Sequence, residues 1–365
     1  MYQTSKLNRL IASADAVINA KGGVRVNGKP ASLRTIQLTR ETLHNTCRRL
    51  HKMGFYLEDI QGLSAKHINA VVRNWYDDKL SPKSMQNMLS RLRVFSVMLG
   101  KRGIVREGGL PAFLPEVDPK ALKVKTYTEA SKSWTGKAVD TLKVIDKAFY
   151  EDMRLYIMLL LEVFFGLRRK EVLRLKPNKI DRVKWIEIDG SVAKGGRYRV
   201  VHIFDDDVDP TVRALGQLQR KVLNMAKKLC TEDETLGWPG RTYQQCTRRY
   251  HYLLTKLGVT KAELGIVGHG LRAEFGENGL LILGVVPPVL GGNGKGLSPA
   301  KRKEVLNSVA SSLGHNDTHT SAAYYGSFTH PPSTSPNGAA FTILSAEELL
   351  EKRVGKLCSY AFRLV

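Results

Sequence analysis

The chain has little cysteine: Cys47, Cys230, Cys246 and Cys358 in 365 residues, far apart and with no C-x-x-C pair. That spacing excludes a disulfide framework and a cysteine-built zinc site, and it suits a reducing compartment. Long apolar runs are also missing. Tyr156–Gly166 is broken by Glu162, and Gly279–Leu290 by Pro287 and Pro288, both short of the about 20 residues a membrane span needs. No basic-then-apolar leader opens the sequence, so a soluble, cytoplasmic protein is expected. Acidic residues are the scarcest class relative to their counterpart: 34 Asp and Glu against 57 Lys and Arg, a net charge of +23. Such a surface calls for a polyanionic partner, of which nucleic acid is the commonest. Ribosomal and membrane-surface proteins are the other basic classes. Apolar residues make up 42%, which excludes wholesale disorder, and the length suits two domains of about 150 residues.

The charge is uneven. Residues 1–125 hold 22 Lys and Arg against 9 Asp and Glu, so +13 of the excess lies in the first third. That third reads as helical. Ser81-Pro82 is an N-cap followed by proline at the first helical position. Met85, Met88, Leu89, Leu92, Phe95, Met98 and Leu99 recur at spacings of three and four, and Gly100 can end the helix. Lys83 and Arg91 lie off this stripe, facing solvent or a ligand. Residues 32–53 and 64–75 carry similar patterns, so a helical clamp over 1–125 is expected. Glycines and prolines from Gly108 to Pro119, then a polar stretch, read as a linker over about 108–140. A second domain follows over 141–335. In it Met153–Phe165 is apolar nearly all round, as a buried helix should be. Trp185–Ile188 and Tyr198–Ile203 read as strands around a Lys194-Gly195-Gly196-Arg197 turn. Residues 336–365 form a tail, with an amphipathic helix over 345–362 that would bury Ile343, Leu344, Leu349, Leu350, Val354 and Leu357 against its own domain or a neighbouring protomer.

Four segments of the second domain carry chemistry when read together: G-L-R-R-K-E at Gly166–Glu171, Lys194 in the turn, H-G-L-R at His269–Arg272, and L-G-H at Leu313–His315 followed by Tyr324 and Tyr325. Each alone has an ordinary structural explanation, such as an ion pair, a turn or a helix face. His315 and His319 at i,i+4 lack an acidic or histidine partner at ligand spacing, so no metal is assigned to them. Together the four supply what metal-free phosphodiester cleavage requires. Arg168 and Arg272 are planar forks matched to non-bridging oxygens. His269 and His315 can hydrogen-bond or move protons. Lys194 can protonate a departing 5′ oxygen, and a tyrosine beside cations can attack phosphorus.

In this order the segments resemble the tyrosine recombinase (phage integrase) family. The resemblance implies catalytic roles for Arg168, Lys194, His269, Arg272 and His315, a supporting carboxylate at Glu171, and Tyr324, nine residues past His315, as nucleophile with Tyr325 as runner-up. It covers residues 143 to about 330. The implied fold is mainly α: a helical, SAM-like core-binding domain, then a mixed α+β catalytic domain with a small antiparallel sheet. Implied too are double-stranded DNA with inverted half-sites as partner, a dimer on each site and a tetramer in synapsis, DNA-bending accessory proteins, and no cofactor or metal. The chain departs from the family pattern in three places. Lys170 stands where a serine is usual, and Ala273-Glu274 where His-Thr is common. The 43 residues from Arg272 to His315 exceed the motif's common form by roughly twenty, which reads as an insertion around 284–299. The insertion and tail favour an integrase of a mobile element over a chromosome-resolving recombinase. Rival readings are a type IB topoisomerase-like enzyme, a non-catalytic DNA-binding regulator, and a metal nuclease built on Asp205, Asp206, Asp207 and Asp209. Adjacent aspartates on one turn point apart, so an N-cap before Pro210 is the better role for that cluster.

Overall fold

A computed structural model describes residues 2–23, 25–26, 29–193, 196–334, 340–341 and 344–359. The chain is mainly helical with a small antiparallel sheet in its second half, and it divides into two compact units, Met1–Lys125 and Thr126–Val365.

The first unit contains α1 (Tyr2–Lys21), a short antiparallel pair β1 (Arg25–Val26) and β2 (Lys29–Pro30), α2 (Leu33–Lys52), α3 (Ala65–Asp77) and α4 (Pro82–Met98). Ser32 and Ser81 cap α2 and α4, their hydroxyls accepting the Thr35 and Ser84 N–H groups. Met85, Leu89, Leu92, Phe95 and Met98 of α4 pack with Leu43, Cys47 and Leu50 of α2 and Trp75 of α3, one face of each helix. Lys83 is exposed. Arg91 is half-buried and pins α4 to α2, Nη1 donating to Thr42 Oγ1 at 3.2 Å.

The stretch expected to be a linker is instead packed. Leu110, Phe113, Leu114 and Leu122 are buried in the first unit's core and Trp134 in the second's. The apolar residues interleaved with its glycines and prolines gain more by burial than a solvated tether would allow.

The second unit runs α5 (Thr141–Glu151), α6 (Met153–Phe165), α7 (Arg169–Arg174), α8 (Pro177–Ile180), β3 (Trp185–Ile188), β4 (Arg199–His202), α9 (Pro210–Leu229), α10 (Tyr243–Lys256), α11 (Gly270–Ile282), α12 (Pro299–Ser312) and α13 (Thr318–Tyr325). α6 is buried along its length from Leu155, and its one buried charge-bearing side chain, Glu162, accepts the Tyr250 hydroxyl at 2.8 Å. Burial pushes that carboxyl up to about 8. β3 pairs with β4 in the register Trp185↔His202 to Ile188↔Arg199. The turn expected at residues 194–197 holds Lys194 and Gly195, which lie outside the described residues. The chain already bends at Asp189, whose carboxylate accepts the Ser191 N–H at 2.7 Å and whose carbonyl accepts from Val192 and Ala193. Asp209 caps α9 ahead of Pro210, accepting the Thr211 and Val212 N–H groups.

The tail forms α14 (Ala346–Leu350), one π turn over Glu351–Gly355 and α15 (Lys356–Ser359). It is seated on its own unit: Leu350, Val354 and Leu357 join the core around α6. Ile343 lies outside the described residues. Arg353 is buried between α11 carboxylates, 2.8 Å from Glu277 and 3.5 Å from Glu274, with Nε donating to Asn278 at 3.0 Å. The departure at Ala273-Glu274 is explained by this docking. Ala273 enters a small apolar cluster, and Glu274 receives the tail arginine and the Thr135 N–H.

Candidate active site

Two glycine turns and one short helix build the site. The first turn ends α6. Gly166 has φ +60°, and a Cβ there would fall 2.3 Å from the Phe275 ring, so the turn needs glycine. It delivers Arg168 to the N-cap of α7. The Arg168 N–H donates to Glu171 Oε2 at 2.8 Å and its Nη1 to Oε1 at 2.7 Å. Glu171 is fully buried and also accepts Arg199 Nη2 at 2.7 Å. Burial alone would raise this carboxyl; Arg199, Arg168 and Arg272 together hold it down to about 2.

The second turn is Leu313-Gly314-His315, where Gly314 takes φ +64° and a Cβ would stand 2.5 Å from Arg199 Cδ. Its Leu313 carbonyl and that of Ser312 just before it anchor all three arginines. Leu313 O accepts from Arg168 Nη2 at 3.1 Å and from Arg272 Nη2, and Ser312 O accepts from Arg199 Nη1. Arg272 Nη1 donates back to Gly166 O. Arg272 is only 1% exposed; burial, then Arg199, lowers it to about 10, so it stays charged at neutral pH.

The helix is α13, capped by Asp317 accepting the His319 N–H at 2.8 Å. Its Tyr324 hydroxyl lies 3.1 Å from His269 Nε2 and 3.2 Å from Arg272 Nε. The His315 ring stacks beside the Tyr324 ring at 5.5 Å between centroids, and His315 Nδ1 is 2.7 Å from Ser321 Oγ. Residues scattered over more than 150 positions are thus brought together: His269 and Arg272 meet the Tyr324 oxygen, His315 stacks on its ring, and Arg168, paired with Glu171, shares the Leu313 carbonyl with Arg272. Lys194 lies outside the described residues, and Lys83 and Arg91 belong to the first unit. Tyr325 is 1% exposed within an apolar cluster, and burial pushes its hydroxyl up against the opposing pull of Ser321.

Sequence reasoning missed Arg199 and Ser321. Arg199 is buried because β4 alternates inward at 199 and 201, a period-2 signal that its charge disguised. The Glu171 carboxylate is taken up by Arg168 and Arg199, so the donor set suits an anion such as a phosphodiester.

His315 is held down to about 3, first by burial and then by Arg272, Arg168, Arg199 and Arg197. A histidine lowered from its ordinary 6.5 favours folding above that value, and the contribution fades as pH falls toward 3. Thermal unfolding of wild type and His315→Gln should therefore show a gap that narrows as pH drops from 6.5. Glu171, lowered from 4.5 to about 2, loses its own stabilisation as pH falls below 4.5, but it is present in both proteins and drops out of the gap. A gap independent of pH would mean that His315 protonates freely.

Residues 25–105 match the family model described as phage integrase, N-terminal. No curated protein matches the sequence. Among solved structures, a lambda integrase dimer bound to a COC′ core site is 14% identical, over 86% of this chain and 94% of that one, with a TM-score of 0.50. A second lambda integrase structure, bound to DNA, is 15% identical over 87% and 95%, with a TM-score of 0.49. The Tn1549 transposon integrase in complex with transposon right end DNA is 14% identical over 87% and 94%, with a TM-score of 0.46. The fold is that of the lambda integrase core, and the resemblance read from the four segments is borne out at that level. Among the described residues no helix is long and apolar enough to cross a membrane.

Proposed function

We propose that this chain is a tyrosine site-specific recombinase that cuts and rejoins DNA through a 3′-phosphotyrosyl intermediate. The carrying observation is the Tyr324 hydroxyl, held within 3.2 Å of both His269 Nε2 and Arg272 Nε amid three guanidinium groups. Tyr324 Oη forms the new bond to phosphorus while the bond to the 5′ oxygen breaks. The phenolic proton passes to His269, whose Nε2 is placed to accept it, and Lys194 would protonate the departing 5′ oxygen. Arg168 and Arg272 face the charge that grows on the non-bridging oxygens. A Ser321 hydroxyl donating to His315 Nδ1 leaves that ring's proton on Nε2, a neutral donor for the same phosphate. Rejoining is the reverse attack by a 5′ hydroxyl, so the phosphodiester energy is kept and no cofactor or metal enters.

The substrate would be duplex DNA with inverted half-sites, bound by a dimer and synapsed as a tetramer, with DNA-bending proteins as accessory partners. An integrase of a mobile element, acting in the cytoplasm, fits the family model on the first unit. Incubating the chain with nicked half-site DNA in EDTA tests the reading: a covalent protein–DNA adduct is expected. An EDTA-sensitive reaction without adduct would overturn it.

Binding should follow the +13 of residues 1–125. Affinity for duplex DNA is expected to fall by about 0.9 log units per log unit of salt for each phosphate neutralised, read from a salt titration. A flat titration would remove the clamp role, and with it Lys83 and Arg91 as backbone contacts.

A further inference from the structure

The chain between α11 and α12, residues 283–298, contains the surplus length noted between Arg272 and His315, and the site described above does not use it. It is well packed at its start. Val285, Pro288 and Val289 are buried, Pro288–Leu290 forms a 3-10 turn, and Gly291 and Gly292 donate back to the Pro288 and Pro287 carbonyls. What it packs against is the end of α13. A Cβ on Gly326, the residue after Tyr325, would lie 2.9 Å from Pro288 Cβ and 3.1 Å from Val289 Cγ1. Farther along, a Cβ on Gly294 would lie 3.0 Å from the Phe328 ring, over which the Arg302 guanidinium sits at 6.0 Å.

The other flank of α13 is gripped by the segment that opens the second unit. Thr128 N–H donates to Ala322 O at 3.1 Å, Lys132 Nζ donates to Ala323 O at 3.0 Å, and Tyr127 stacks on His330 at 5.2 Å. These carbonyls belong to the last turn of the helix; Ala322 O also accepts the Gly326 N–H that closes it, and Lys132 supplies a donor to Ala323 O.

A helix of eight residues has no stability of its own, since isolated helices need about 12–15. Its place is set by what holds it. We propose that residues 283–298 and the Thr128–Lys132 segment form a two-sided brace that fixes α13 where the Tyr324 oxygen meets His269 and Arg272. On this reading, which rests on Tyr324 being the nucleophile, Val289 and Lys132 are positioning residues. Neither touches the reacting atoms. Val289 acts through Gly326 and Lys132 through the Ala323 carbonyl, one residue from the tyrosine.

The test uses the full chain on half-site DNA carrying a nick, so that the covalent adduct is trapped. Val289→Ala and Lys132→Met are compared with the unmodified chain by half-site affinity and by the single-turnover rate constant of adduct formation. A partly unfolded population lowers the amplitude of that reaction and leaves its rate constant unchanged, so the rate constant isolates positioning from folding. Displacing a nucleophile by about 1 Å can cost about 100-fold, so each variant should slow adduct formation about tenfold or more, with affinity within about twofold. Val289→Ile should restore the rate to within about threefold, because it refills the same contact. An unaltered rate constant in Val289→Ala, or equal losses of rate and affinity, overturns the brace alone. An unmodified chain that forms no adduct overturns the recombinase reading, and the brace with it.

Discussion

Tyr324→Phe is expected to bind half-site DNA as wild type does and to form no covalent adduct, a loss of at least about 1,000-fold. The substitution removes one oxygen from a side chain that is already 9% exposed and leaves its ring stacked on His315. Only the attacking atom goes. Tyr325→Phe should keep the reaction, because that side chain is buried in an apolar cluster and phenylalanine fills the same space. The two tyrosines are separated by about 100° around α13, so one of them alone can face the arginines. Peptide mapping of the trapped adduct settles the choice, and a phosphotyrosine at 325 would refute the assignment.

Arg272→Ala should abolish cleavage to a similar degree, and Arg168→Ala by about 100- to 1,000-fold, the usual cost of one lost transition-state donor. The larger effect at Arg272 has a structural origin. Its guanidinium serves the Tyr324 oxygen and also ties Gly166 O to Leu313 O, so alanine loosens both glycine turns at once. Arg272→Lys preserves the charge and cannot span those two carbonyls together, so it should rescue stability better than rate. Arg168→Ala leaves Glu171 paired with Arg199 and should affect folding less. Single-turnover adduct rates beside thermal midpoints separate these effects. Wild-type cleavage in either alanine variant removes that residue from the site.

How much of this was legible in the sequence differs by element. The capped helix α4 and the buried helix α6 could be read directly, because Ser81-Pro82 and the all-round apolar pattern each have one physical meaning. The candidate site's four segments could be read together because their residue types fit one reaction. Arg199 was not, since an arginine on an inward strand position contradicts the pattern that would place it. The packing of residues 108–140 was hidden as well: glycines and prolines read as loop, and Trp134 signalled burial without naming its core. The tail's docking depends on Arg353 meeting Glu274 and Glu277 across more than 70 residues of sequence, a pairing no local pattern encodes.

The acceptors that hold the three arginines are largely main-chain carbonyls: Gly166 O, Ser312 O and Leu313 O. A carbonyl is supplied by every residue, whatever its side chain. Mutation can therefore rewrite most of α6, α12 and their neighbours without removing a single one of these anchors, provided the two glycine turns keep their shape. Apart from the Glu171 carboxylate and the Tyr324 hydroxyl, the constraint falls on backbone trajectory more than on side-chain partners. A site wired in this way can tolerate wide change in sequence while its charged groups stay in place, which suits a fold shared at 14% identity.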